Sequence, residues 1–147
     1  MIKTFRGTLA NGGQNTIRLS TKKGKIGYSI KKFEIMPNQP GVVSSEHIVK
    51  IHKVSQTTID GDIDFADGNL LAAAFVNNNT NASAYPVAVT SIFEQEMFNQ
   101  DVFITHTVHS TAANCNYYIE IETMTLTDNE AAVSTLRDIR LNPQVGG

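Results

Sequence analysis

Tyr117-Tyr118-Ile119-Glu120-Ile121-Glu122-Thr123-Met124-Thr125-Leu126 is the stretch that decides the fold. Tyr117, Ile119 and Ile121 alternate with Tyr118, Glu120 and Glu122, and a two-residue period sends these two sets to opposite faces of a strand. One face is apolar and the other carries charge, so the segment reads as a strand with one side on a core.

On its C-terminal side, Thr127-Asp128-Asn129-Glu130 has the form of a capping box. Thr127 is placed to accept from first-turn amides, Glu130 to reach back, and Asp128 to complement the positive end of the helix dipole. Ala132, Val133, Leu136 and Ile139 then recur at three- and four-residue steps until Pro143. The spacing predicts one helix over about 128–140. A helix that short is marginal alone, so its stripe must dock on the rest of the domain or on another subunit.

On the N-terminal side the pattern is strand after strand. Ile2 to Leu9 reads as a first strand ended by Asn11-Gly12-Gly13-Gln14, and Ile17 and Leu19 flank Arg18 in a second, which suggests an N-terminal hairpin. Tyr28 and Ile30, then Phe33 and Ile35, hold a two-residue period that slips by one across Lys31-Lys32, so a β-bulge is expected there. His47 to Val54 is apolar on both faces and is expected to be covered on both, at the centre of a sheet or against a neighbouring subunit. Leu70–Val76, Pro86–Phe93 and Val102–Val108 complete the series. The expectation is a mainly β chain: one antiparallel β-sandwich domain over residues 1–147, jelly-roll-like or Greek-key, with one short C-terminal α-helix.

Composition agrees with one domain and narrows the chemistry. The chain has 147 residues, 41% of them hydrophobic, enough for one self-sufficient core. No apolar run approaches the roughly 20 residues of a membrane span, and Met1-Ile2-Lys3-Thr4-Phe5-Arg6 does not resemble a secretory signal. A soluble protein made in a cytoplasm is expected, with no membrane partner. The single cysteine, Cys115, has no intrachain disulfide partner and reads as structural. With no tryptophan, four tyrosines and seven phenylalanines, stacking surfaces for sugars or bases are scarce.

The net charge of −2 is unevenly spread. Residues 1–53 carry ten Lys and Arg against Glu34 and Glu46, 10 − 2 = +8, while residues 54–147 carry Arg137 and Arg140 against twelve acids, 2 − 12 = −10. Such complementarity suits contacts between copies, although a β topology can also interleave the charges within one chain. Direct nucleic-acid contact is disfavoured by the net charge.

Three segments carry residue types that chemistry could use. Lys22-Lys23-Gly24-Lys25 lacks the glycine spacing and Lys-Ser/Thr pair of a P-loop. Asp60, Asp62, Asp64 and Asp67 have calcium-ligand overtones, but Phe65 stands where an EF-hand needs glycine, and the favoured reading has Ile63 and Phe65 inward with Asp62 and Asp64 in water. His106, His109 and Cys115 could be imagined around a metal, yet no fourth ligand recurs at a supporting spacing. No catalytic, cofactor or metal residues are assigned, and no enzyme activity is expected.

Met1-Ile2-Lys3-Thr4-Phe5-Arg6-Gly7, Gly12-Gly13-Gln14 through Ile17-Arg18-Leu19-Ser20-Thr21, Phe98-Asn99-Gln100-Asp101-Val102-Phe103, Asn116-Tyr117-Tyr118-Ile119-Glu120 and Leu136-Arg137-Asp138-Ile139-Arg140 together make the chain resemble small virion-associated proteins of tailed phages, especially marine ones. The resemblance implies a multi-copy capsid decoration or cement subunit of the virion, assembled in the host cytoplasm. Its partners would be other copies of itself and the major capsid protein or neighbouring virion proteins. Ile2 and Phe5 of the first strand, Lys22, Lys23 and Lys25 of the basic loop, and Val133, Leu136 and Ile139 of the helix are the interface candidates. A neck or tail component is the next reading. A receptor- or carbohydrate-binding module, for which Tyr85, Tyr117 and Tyr118 are the aromatic set, follows it.

Overall fold

The computed structural model describes residues 1–19, 26–40, 44–78, 87–93 and 95–125. Eight strands follow in chain order: β1 (Ile2–Leu9), β2 (Gln14–Ile17), β3 (Ile26–Pro37), β4 (Ser45–His52), β5 (Leu70–Asn78), β6 (Val87–Ile92), β7 (Val102–Ser110) and β8 (Cys115–Thr125). They form two antiparallel sheets, β1-β8-β3 and β2-β7-β4-β5-β6. The helix expected over 128–140 falls outside the described residues, and so do Lys22, Lys23, Lys25, Tyr85, Val133, Leu136 and Ile139.

The alternation of β8 does what its sequence dictates. Tyr117, Ile119 and Ile121 are buried, while Tyr118, Glu120 and Glu122 lie on the outer face. β1 and β3 flank it, so Phe5, Ile119 and Phe33 come level across the sheet. The ladder between β3 and β8 shifts register between Ile30 and Lys32, at the slip in the apolar pattern. This bulge lets Tyr28 and Ile30 on one side of it and Phe33 on the other share one core. Facing them from the second sheet are Val49 and Ile51 of β4, Ala72 and Ala74 of β5, and Val102 and Ile104 of β7, all in the same apolar cluster.

β1 and β2 do not form the expected hairpin. β1 pairs with β8 and β2 with β7, so the Asn11-Gly12-Gly13 turn carries the chain from one sheet to the other. Gly12 takes a φ of 75°, a conformation that favours glycine. Its N–H donates to the His106 carbonyl at 2.8 Å, the His106 N–H donates to Gly13 O at 3.1 Å, and Asn11 Oδ1 accepts from Val108 N. Turn residues specify a reversal locally, but the partner strand is chosen by which apolar face can be buried.

β4 is covered on both faces. It is the middle strand of its sheet, between β7 and β5, and Val49 and Ile51 join the inter-sheet core. On the other face, Ile48, Lys50 and His52 lie beneath residues 53–69. Lys50 Nζ donates to the Asp62 carbonyl at 2.6 Å and pairs with Asp60 Oδ1 at 3.3 Å, and His52 Nε2 sits 3.7 Å from Asp67. Gln14 fastens the start of this loop, accepting from Gln56 N at 2.8 Å.

The acidic loop corrects the reading of residues 60–68. Ile63 and Phe65 are exposed, at 40% and 58%, and no strand forms there. Asp60, Asp64 and Asp67 each accept a backbone N–H two residues on, from Asp62, Ala66 and Asn69. These turns hold the backbone by side-chain capping, which overrides the period-2 pattern.

Gly7 faces the Tyr117 ring so closely that a Cβ would sit 2.6 Å from the phenolic oxygen, which accepts from Asn15 Nδ2 at 3.2 Å. Gly7→Val is therefore expected to destabilise the domain by about 1–3 kcal/mol through overpacking, read as a lower denaturation midpoint with an unchanged slope.

Candidate functional site

Two places in the described residues combine shape with chemistry. The first is inside the core at one end of the sandwich. The run His47, Val49, Ile51 on β4 and the run Val102, Ile104, His106, Val108 on β7 both point inward, and Val49 is level with His106. His47 and His106 thus meet on a diagonal of adjacent strands, their rings stacked at 5.1 Å and 15°. His47 Nδ1 and His106 Nε2 are 2.9 Å apart, and His47 Nε2 is 2.8 Å from Ser45 Oγ.

Cys115 completes the group from the opposite sheet. β7 ends at Ser110, whose φ of 77° is strained for a residue with a side chain, and the chain then crosses to start β8 at Cys115. One ligand-capable atom from each of His47, His106 and Cys115 lies within 4.8 Å of the others, and all three residues are buried. The histidines are 0% exposed and the cysteine 1%.

The electrostatics follow from that burial. Desolvation lowers the His47 pKa to about 4, with His106 beside it pushing the same way. Desolvation lowers His106 too; the Ala10 and Leu9 carbonyls near its ring oppose the shift, yet Nδ1 has no hydrogen-bond partner. Burial drives the Cys115 thiol up to about 12, opposed by the Met36 amide. At neutral pH the group is therefore two neutral imidazoles and a thiol. His52, on the far face of β4, is also held neutral by burial, against the pull of Asp67.

The sequence grouped His106 with His109 and Cys115, and the structure substitutes His47 for His109. His109 is exposed on the other face of β7, with its Nε2 against Gly61. His47 and His106 are 59 residues apart, and no spacing motif joins them. The available signal was that each stands at an inward position of an otherwise apolar alternation.

The second place is a groove of about 830 Å³, where three strands face five. Gly7, Phe33, Ile35 and Tyr117 line it from one sheet, and Ala88 and Thr90 of β6 from the other. Tyr117 and Tyr118 both border the groove, but they stand on opposite faces of β8, with Lys32 Nζ 6.0 Å from the Tyr118 ring centre. Of the interface candidates in the described residues, Ile2 is 49% exposed at the start of β1, whereas Phe5 is partly buried against the domain's own core.

No protein family model matches the sequence, and no curated protein matches it. Among solved structures, the crystal structure of the Yersinia pseudotuberculosis-derived mitogen aligns over 87% of each chain at 15% identity, with a TM-score of 0.29. That score is too low to carry an inference about this chain.

Two outcomes follow from the buried group. Unfolded histidines titrate near 6.5, and the folded values of His47, His52 and His106 are all lowered. Protons therefore bind the unfolded chain first, and stability is full above about pH 6.5 and lost as pH falls below it, for His47 down to about 4. Each histidine contributes at most about 1.4 kcal/mol per pH unit in that window. Urea midpoints measured at pH 7 and pH 5 should fall with a proton uptake greater than one. The Cys115 thiol in metal-free protein should react with an aromatic disulfide reagent only as fast as the fold opens, giving one thiol per chain at once in denaturant.

Proposed function

We propose that the protein is a non-catalytic structural subunit of a phage virion, acting through contacts between copies and with neighbouring shell proteins. The observation that carries the reading is the strand order. Strands β1-β8-β3 facing β2-β7-β4-β5 follow the order of a jelly roll, except that β6 stays beside β5 instead of crossing to β3. Jelly rolls recur in viral capsid and lectin domains. Together with the resemblance to marine phage virion proteins, this supports a multi-copy decoration or cement role, with a neck or tail component as the next reading.

Strand edges supply a means of contact. β1 pairs only with β8 along Ile2 to Leu9, so its other side is an edge of the described sheet. It holds no proline and its ladder with β8 runs without a register shift, which makes it a template for strand addition. The uneven charge has a different use: Lys31 pairs with Glu122 at 3.6 Å, Lys50 with Asp60 at 3.3 Å and Lys53 with Glu96 at 3.5 Å. These pairs join the basic first third to the acidic remainder within one chain, so contacts between copies need not rest on that asymmetry.

Quantitative mass spectrometry of purified particles tests the proposal. Hundreds of copies per particle would support a shell subunit, a dozen or fewer would move it to neck or tail, and absence would refute the virion reading. Ile2→Lys with Thr4→Lys, both on the exposed face of β1, should leave the melting temperature within a few degrees while reducing incorporation severalfold. Unchanged incorporation would exclude this edge.

A further inference from the structure

His47, His106 and Cys115 are the one group of three metal-ligating side chains that the described residues bring together, and contacts between copies make no use of them. We propose that they form a zinc site tying the two sheets together, with His47 Nδ1, His106 Nε2 and Cys115 Sγ as ligands. Two imidazoles and a thiolate suit a borderline-soft ion and suit calcium or magnesium poorly. Three protein ligands leave a fourth position, which zinc centres of this ligand count fill with water.

The three side chains are near enough to converge on one ion. Zinc holds nitrogen at roughly 2.0–2.1 Å and sulfur at roughly 2.3 Å, so its ligand atoms stand roughly 3.3–3.8 Å apart. His47 Nδ1 and His106 Nε2 are 2.9 Å apart, and one ring nitrogen of each histidine and Cys115 Sγ lie within 4.8 Å of one another. Binding an ion requires the two histidine nitrogens to move apart by roughly 0.5 Å.

The surroundings have the character of a second shell. A ligating imidazole needs a partner for its other nitrogen. Ser45 Oγ is 2.8 Å from His47 Nε2, while His106 Nδ1, with the Ala10 and Leu9 carbonyls near the ring, has no hydrogen-bond partner. The Met36 amide at the Cys115 sulfur favours a thiolate. A buried polar trio in an apolar core also calls for an explanation that apolar packing does not give.

The proton balance is simple. Without metal, the order consistent with these contacts has Ser45 O–H donating to His47 Nε2 and His47 Nδ1–H donating to His106 Nε2. On binding Zn²⁺, His47 moves its proton from Nδ1 to Nε2, where the Ser45 oxygen accepts it. His106 keeps its Nδ1 proton, and the Cys115 thiol releases one proton to solvent, so one H⁺ leaves for each Zn²⁺ bound.

Cobalt(II) is the probe, introduced anaerobically by refolding the full chain with one equivalent, because the ligands are buried. Cys115 is the only cysteine, so a thiolate-to-cobalt charge-transfer band in the wild-type protein reports this site alone. The expected result is that band at one cobalt per chain, displaced by zinc. X-ray absorption of the zinc form should show one sulfur and two imidazoles. Zinc held 100-fold above its dissociation constant should raise the melting temperature by roughly 8 °C. Cys115→Ser should lose the band and the shift, and His109→Gln should keep both. Absence of the band from refolded wild-type protein, or zinc uptake with no sulfur in its shell, overturns the proposal and leaves a hydrogen-bonded core pair, whether or not the variants fold.

Discussion

Burial of one continuous apolar layer between two sheets is the constraint on which the rest of the structure depends. Ile119 and Ile121 of β8, Ile51 of β4 and Ile104 of β7 are each 0% exposed, and they can be so only if both sheets present their apolar sets to the same interior. Fully burying a side chain of this size contributes about 1.5–3 kcal/mol, so the layer as a whole outweighs any local turn preference. This is why the bulge at Lys31-Lys32 is kept and why the Gly12-Gly13 turn leads to a new sheet. The ends of the layer are closed by polar contacts: Tyr28 exchanges backbone hydrogen bonds with Phe98 and donates its hydroxyl to the Leu19 carbonyl, while Leu19 N donates to Asp101 at 2.6 Å.

The second constraint is β4. An apolar strand in mid-sheet has two faces to cover, and the three-stranded sheet covers only one of them. Residues 53–69 cover the other, and their acids serve that purpose: Asp60 and Asp67 cap turns with one side-chain oxygen and meet Lys50 or His52. The carboxylates that looked like a cation loop in one dimension are thus spent on holding a flap against Ile48, Lys50 and His52.

The buried His47, His106 and Cys115 belong to neither constraint. Placing imidazoles where leucine would pack costs desolvation, the main cause of the depressed His47 pKa of about 4. The trio also spans the sandwich, from β4 and β7 across to β8, so whatever it binds or bonds to influences how the sheets are held.

Sequence alone determined most of the strands and the bulge, because a two-residue period is a local property and each apolar face must be buried somewhere; β2, read around Arg18, instead spans Gln14–Ile17. It also pointed to cover on both faces of β4, although the second face proved to be Ile48, Lys50 and His52, with Val54 beyond the strand. Pairing was decided only in three dimensions. The glycines after β1 specify a turn but not a hairpin, and the two strands part to opposite sheets because their partners, β8 and β7, lie over a hundred and about ninety residues away. The exposure of Ile63 and Phe65 was likewise tertiary, since aspartate side chains capping the backbone broke an alternation that looked like a strand. So was the meeting of His47 with His106 and Cys115: antiparallel register and the crossing after Ser110 bring them together, and no spacing along the chain encodes either.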